Sequence, residues 1–212
     1  MNRMMISRTI LAICCLAISV LLGCKGEVGY DAPPNCARLE CPQYTVLHSQ
    51  KDFEIRRYND ARWLVAPTII SKSYKEAASK GFRILFEYYG GKNSQGLKIN
   101  MTAPVLVAPG EGGYKVHFYL PKQFQTFAPT PLNPDIRLAN LPGKAHQYAA
   151  VRRFDGLITD ETIPLNLEPL KRSLQSSHDY ARAVEGGVTM LGAYNRPTQL
   201  TDRVNELFIW FN

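Results

Sequence analysis

The stretch Leu97-Lys-Ile-Asn-Met-Thr-Ala-Pro-Val105 decides how the chain is read. Leu97, Ile99, Met101 and Ala103 alternate with Lys98, Asn100 and Thr102, the two-residue period of a strand with one buried face. Pro104 then removes a ladder donor, and Val105-Leu106-Val107 carries on beyond it. A paired strand that breaks and restarts is a corner of a sheet, and Met101 sits on its inner side.

Working outward, the residues before this strand change period. From Tyr74 to Tyr89, Ala77, Ala78, Phe82, Leu85, Phe86 and Tyr89 fall on one side of a 3.6-residue helix. Ser71 or Ser73 caps it and Gly90-Gly91 ends it. Strands are expected over Tyr44–His48, Phe53–Tyr58, Trp63–Ile70 and Tyr114–Leu120. After a Pro-rich connector (127–135) come a strand at Gln147–Phe154, a helix over Asp160–Ser176, and strands at Val188–Tyr194 and Glu206–Phe211. Strand, helix, strand, strand thus occurs twice, from about residue 62 and from about residue 146. The fold class is α+β: a pseudo-symmetric pair of such units forming a distorted antiparallel barrel flanked by two helices.

The chain of 212 residues is long enough for one sizeable core, and 45% hydrophobic with 20% charged residues is a globular composition. Its net charge of +7 comes from scattered Lys and Arg. No basic stripe with interleaved aromatics points to nucleic acid, and the charge suits anionic ligands. Arg3 and Arg8 precede the apolar run Ile10–Leu22, which reads as a secretory signal over 1–23, followed by an arm over 24–40 and one domain over 41–212. Leu21-Leu22-Gly23-Cys24 also resembles a lipoprotein cleavage box. Secretion is expected, with the vacuole or another endomembrane compartment as the alternative. Once the signal is gone, no stable membrane anchor is expected. Cys36 and Cys41 follow a Pro-rich stretch; in an oxidising compartment they make a short disulfide loop, and a two-ligand metal clip is the competing reading.

Phe53–Tyr58 (FEIRRY), 81–105 (GFRILFEYYGGKNSQGLKINMTAPV), 117–125 (HFYLPKQFQ) and 203–211 (RVNELFIWF) resemble the SOUL haem-binding proteins, with secreted plant members of the haem-binding-protein-2 type the nearest in pattern. The resemblance covers about residues 41–211. It implies two four-stranded units with helices, similar to GyrI-like effector-binding domains. It also implies reversible binding of haem or another porphyrin in a hydrophobic cleft, as a carrier or scavenger. Where some animal relatives place a histidine in the FEIRRY strand, this chain has Arg57, which stays protonated and does not ligate iron.

A haem site needs an apolar slot rimmed by cations, with an axial donor optional. Phe82, Leu85 and Phe86 with Met101 are the candidates for the slot, and Lys98, with Lys80 and Arg83 beside it, for the propionates. Packing of all four apolar residues in the core is the competing reading. His48, His117, His146 and His178 show no ligand-like spacing. Glu206 is the other site candidate: with Tyr194 it would bind a cationic ligand or act as general base of a hydrolase or a tetrapyrrole-modifying enzyme, and a salt bridge or hydrogen bond to Arg203 or to a turn amide is the competing reading. No GxSxG, HExxH, P-loop or dinucleotide fingerprint is present, so a binding protein rather than an enzyme is expected.

Overall fold

The computed structural model describes residues 30–142 and 147–212. The signal expected over 1–23, and His146, lie outside them. Among the described residues ten strands alternate with helices. They are β1 (Tyr44–Ser49), β2 (Glu54–Tyr58), β3 (Ala61–Val65), β4 (Ile69–Ile70), α1 (Tyr74–Tyr89), β5 (Val105–Gly110) and β6 (Gly113–Tyr119). There follow β7 (Arg137–Leu141), β8 (Tyr148–Phe154), α2 (Thr162–Gln175), α3 (Arg182–Gly186), β9 (Val188–Ala193) and β10 (Asn205–Phe211). All pair in one antiparallel sheet, in the order β1-β2-β8-β10-β9-β5-β6-β3-β7, with β4 beside β6.

The doubled unit stands in this order. β3-α1-β5-β6 and β8-α2-β9-β10 meet at the β5·β9 ladder, where Leu106 faces Gly192. On either side of that ladder β6 matches β10, β3 matches β8 and β7 matches β2.

A two-residue link forces the sheet to curl. β2 ends at Tyr58 and β3 begins at Ala61, yet six strand steps separate them in the sheet. Flat, those steps would span about 29 Å. Asn59 and Asp60 bridge about 11 Å at full stretch. The sheet therefore wraps round until Tyr58 of β2 and Leu141 of β7 line one interior cavity.

Two cores follow from the pleat, because directly paired residues share a face. Outside the barrel, Leu85, Tyr88 and Tyr89 of α1 and Leu170 and Leu174 of α2 pack on Val107, Phe118, Leu207 and Ile209. Inside, Tyr58, Trp63, Leu106, Tyr119, Phe208 and Trp210 pack on one another. The outer layer is tight at Gly81: a Cβ there would lie 2.4 Å from Val116 Cγ2, so only glycine lets α1 come this close to β6.

The segment 97–103 departs from the expectation of a paired strand. It runs extended without a ladder, held by Ile99 N–H donating to Tyr89 O (2.8 Å) and Ala103 N–H donating to Glu40 O (3.0 Å). Leu97 is exposed, Met101 half-buried, and Thr102 buried, its hydroxyl donating to Tyr119 O at 2.5 Å. The expected alternation therefore holds only from Lys98 to Asn100 and fails at Leu97 and Thr102, because no sheet pairing imposes it. The strand proper starts at Val105, after a cis Ala103–Pro104 bond. Expected strand 63–70 likewise splits into β3 and β4 around Pro67.

Candidate functional site

α1 starts where Ser73 Oγ accepts the Glu76 N–H, and Glu76 pairs with Lys80 one turn on. At its far end Gly91 (φ 111°) and Gly96 (φ 63°) shape the turn into the extended segment. Asn93, buried between them, staples it. Its Nδ2 donates to Tyr88 O and Leu97 O (3.1 and 2.7 Å), and its Oδ1 accepts the Gln95 and Leu97 N–H groups (3.2 and 3.1 Å). That staple, with the Ile99 N–H on Tyr89 O, ties the segment that carries Lys98 and Met101 to the C-terminal end of α1.

The expected slot residues separate by burial. Leu85 is fully enclosed by the outer core, so it backs the surface and does not line it. Phe82 is half-buried, its ring edge-on to Phe118 at 5.1 Å. Phe86, four residues on, is 49% exposed and stacks on Phe82 with centroids 5.6 Å apart and planes 16° from parallel. Met101 is half-buried against the same core, and Lys98 and Arg83 are exposed. The result is a shallow aromatic shelf with cations in solvent.

Glu206 lies on the other side of the sheet. Leu207 and Ile209 face the helices whereas Glu206 shares the interior face with Phe208 and Trp210, so Glu206 and the shelf do not form one site. Its expected partner Arg203 instead donates its backbone N–H to Asp155 Oδ1 (2.9 Å). Glu206 takes Arg56 Nη2 and Arg153 Nη2 on Oε1 (both 2.9 Å), and Arg56 Nη1 (3.0 Å) and the Tyr194 hydroxyl (2.6 Å) on Oε2. Arg56 Nε reaches Glu54 (2.7 Å), and its guanidinium lies 4.2 Å above the Tyr44 ring. Glu54, Arg56 and Glu206 are fully buried.

Burial alone would raise the Glu206 carboxyl, but Arg56 and Arg153 outweigh it and hold it below the usual carboxylate range. Burial, followed by the Glu206 charge, pushes the Tyr194 hydroxyl far up. An ionised carboxylate with both oxygens taken, beside a neutral phenol, is a structural network. It has no lone pair free to act as a base.

The register sets His117 in the same row as Glu206: Val65, His117, Leu106, Gly192, Glu206 and Arg153 pair in succession across six strands. His117 is 5% exposed, its Nδ1 has no hydrogen-bond partner, and burial lowers its pKa to about 4. Unfolded histidine takes its proton near 6.5, so between pH 6.5 and about 4 the unfolded chain binds more protons and stability is lost as the pH falls. The loss over that window is about 3 kcal/mol. Urea titrations at pH 7 and pH 4.5 measure it, and His117→Gln removes that part of the slope. The other described histidines also lie away from the shelf: His48 packs on Tyr180, and His178 is fully exposed after α2. Arg57 is exposed on β2.

The arm is the part that sequence reasoning left undescribed beyond its cysteines. Cys36 and Cys41 are disulfide-bonded, with Cα atoms 5.6 Å apart. The Tyr30 N–H donates to Glu54 (2.5 Å), Arg153 donates to Asp31 O (2.6 Å) and stacks over the Tyr30 ring, and Asn35 donates to Tyr194 O. No local signal in 30–42 announces this docking, because its partners lie in β2, β8 and beyond β9. Among the described residues no group of three His, Cys, Asp or Glu stands together to hold a metal, and no helix is long and apolar enough to cross a membrane.

Comparison with known proteins adds to this geometry. The family model described as "SOUL heme-binding protein" matches residues 39–211. Human "Heme-binding protein 2" is 31% identical over 164 residues, which cover 74% of this chain and 77% of that protein. Mouse "Heme-binding protein 1" is 26% identical over 148 residues, 66% of this chain and 75% of its own. With the doubled unit, the curled barrel and a family match over nearly the whole described chain, this protein belongs to the SOUL heme-binding family.

Proposed function

We propose that the protein binds haem and related porphyrins reversibly on the shelf formed by Phe82 and Phe86 with Met101, as a carrier or scavenger. The observation that carries this is the stacked phenylalanine pair with one ring half in solvent. A flat macrocycle extends such a stack and covers apolar surface that water otherwise wets. Lys98 and Arg83, both exposed, are the cations offered to the propionates. Met101 supplies a thioether, the one soft donor the shelf offers to iron, and contact with the macrocycle rather than ligation accounts for most of the affinity. The names of the human and mouse relatives support haem as the ligand class. The Cys36–Cys41 disulfide supports an exported protein in an oxidising compartment.

Titration with haemin and with metal-free protoporphyrin, followed by absorbance, tests this reading. Both are expected to saturate with similar affinity, and Phe86→Ala to weaken each about tenfold, the loss of roughly 1.4 kcal/mol of stacking contact. Unchanged affinity in Phe86→Ala would move the ligand off the shelf. A haem-only response would make iron ligation, and so Met101, the main determinant.

A further inference from the structure

The barrel interior holds a cavity on the opposite side of the sheet from the shelf. It is about 10 Å³, room for one water, and its walls include Tyr58, Trp63, Leu106, Tyr194, Phe208 and Trp210. Both tryptophans are nearly fully buried, at 3% and 5% exposure, and neither indole N–H has an acceptor. Two buried donors without an acceptor, on two residues of one aromatic wall, are costly unless something accepts from them. The neighbouring charges do not ask for a charged ligand, since Glu54 and Glu206 balance Arg56 and Arg153 and are saturated by them.

The arm lines this cavity at Pro42 and bonds at two further places, to wall residue Tyr194 and to the neighbour of wall residue Pro104. Pro42, next to the disulfide, is itself part of the wall. Asn35 holds the carbonyl of wall residue Tyr194. Glu40 O accepts the N–H of Ala103, the residue before wall residue Pro104, and its carboxylate takes the Lys122 N–H (2.6 Å). Cys36 and Cys41 tie the residue after Asn35 to the residue before Pro42, so one covalent loop ties the three contacts together.

We propose that the barrel interior is a second binding site, for a small neutral aromatic molecule bearing a hydrogen-bond acceptor, and that the disulfide-tied arm is its gate. Trp63 and Trp210 donate to the acceptor, and the aromatic walls take the ring. With the disulfide formed, the cavity is closed down to the size of a water. A dithiol reductant opens the loop: its thiolate attacks one cystine sulfur, its second thiol resolves the mixed disulfide, and the protein gains two electrons and two protons as two thiols. Pro42 and Asn35 then leave the wall and the cavity widens.

Both tryptophans of the chain stand in this cavity, so their fluorescence reports on it alone. Acrylamide quenching of the oxidised and dithiothreitol-treated protein is the first measurement, and the quenching constant is expected to rise about twofold or more on reduction, the size of a local opening. Asn35→Ala with the disulfide intact should raise it in the same direction, which separates gate opening from thiol chemistry and from a fold lost on reduction. The second measurement uses 2-acetylnaphthalene, a neutral aromatic ketone. Saturable quenching in the reduced protein, weak in the oxidised one and reduced in Trp63→Phe, supports the site. Equal acrylamide quenching in both redox states and in Asn35→Ala overturns the gate. No saturable response to the ketone in either state leaves a buried water only and overturns the site. Haemin titration of the same samples keeps the two sites apart, because a fault in the shelf reading changes haemin binding and leaves the tryptophan signals as they are.

Discussion

Glu206→Gln is expected to lower the unfolding free energy by about 3–5 kcal/mol, the cost of breaking a buried ion network by removing one partner, while haemin affinity stays as in the native protein. Glutamine keeps the shape and removes the charge that two guanidiniums face. Arg56 is then left fully buried with Glu54 as its remaining carboxylate, and Arg153 loses its ion pair. Tyr194 still has an acceptor in the amide oxygen, so the damage is electrostatic rather than steric. Chemical denaturation at pH 7 gives the value.

The pH dependence adds a second signature. The folded carboxyl sits below the ordinary range, so its contribution is complete above pH 4.5 and fades as pH falls through its folded pKa. The variant should therefore approach the native protein in stability at low pH. A loss under 1 kcal/mol at pH 7 would mean that the network is not formed in solution. Loss of haemin binding in a folded variant would place the ligand inside the barrel and against the shelf.

Leu85→Ala should cost toward the upper end of roughly 2–5 kcal/mol, the range for truncating a buried leucine. Leu85 is fully enclosed between α1 and the outer face of the sheet, where close approach of the helix leaves little slack to collapse the hole. Phe86→Ala, one residue along, should cost little stability because half of its ring is already in solvent. Thermal melts of both variants beside haemin titrations give a double dissociation: stability falls with one and affinity with the other. If Leu85→Ala reduced affinity without lowering stability, the helix would have to turn in solution so that Leu85 reached the surface.

This contrast shows where the sequence was readable. The period of 74–89 specified α1 and its caps, because an apolar stripe at helical spacing has to be covered by another layer. It did not rank them: Leu85 and Phe86 carry the same hydrophobic signal, and only packing against β6 divides core from shelf. The alternation at 97–103 misled: Leu97 is exposed and Thr102 buried, and contacts to Tyr89 and Glu40 hold the segment without a ladder. β7 went unseen because RLANL is mostly exposed and has no buried face to give it a period. The partners of Glu206 were beyond local reading, as Arg56 lies 150 residues away and the pairing exists only once β2 and β8 meet. The doubled order of elements was legible because it depends on element type, which each half states for itself.

The strand order carries a consequence for synthesis. β2 is made early, yet its pairing partners are β1 and β8, and Glu54 meets Val151 across that ladder. The first unit can pair β3 with β6 and β6 with β5 as it leaves the ribosome, but the outer edge of β5 has no neighbour until β9 arrives. For most of translation the nascent chain therefore presents an open strand edge and an isolated hairpin, both templates for mispairing. Closing so many distant pairings at the end makes a slow folder of high contact order. A chaperone that shields the β5 edge would raise its yield more than one that assists either helix.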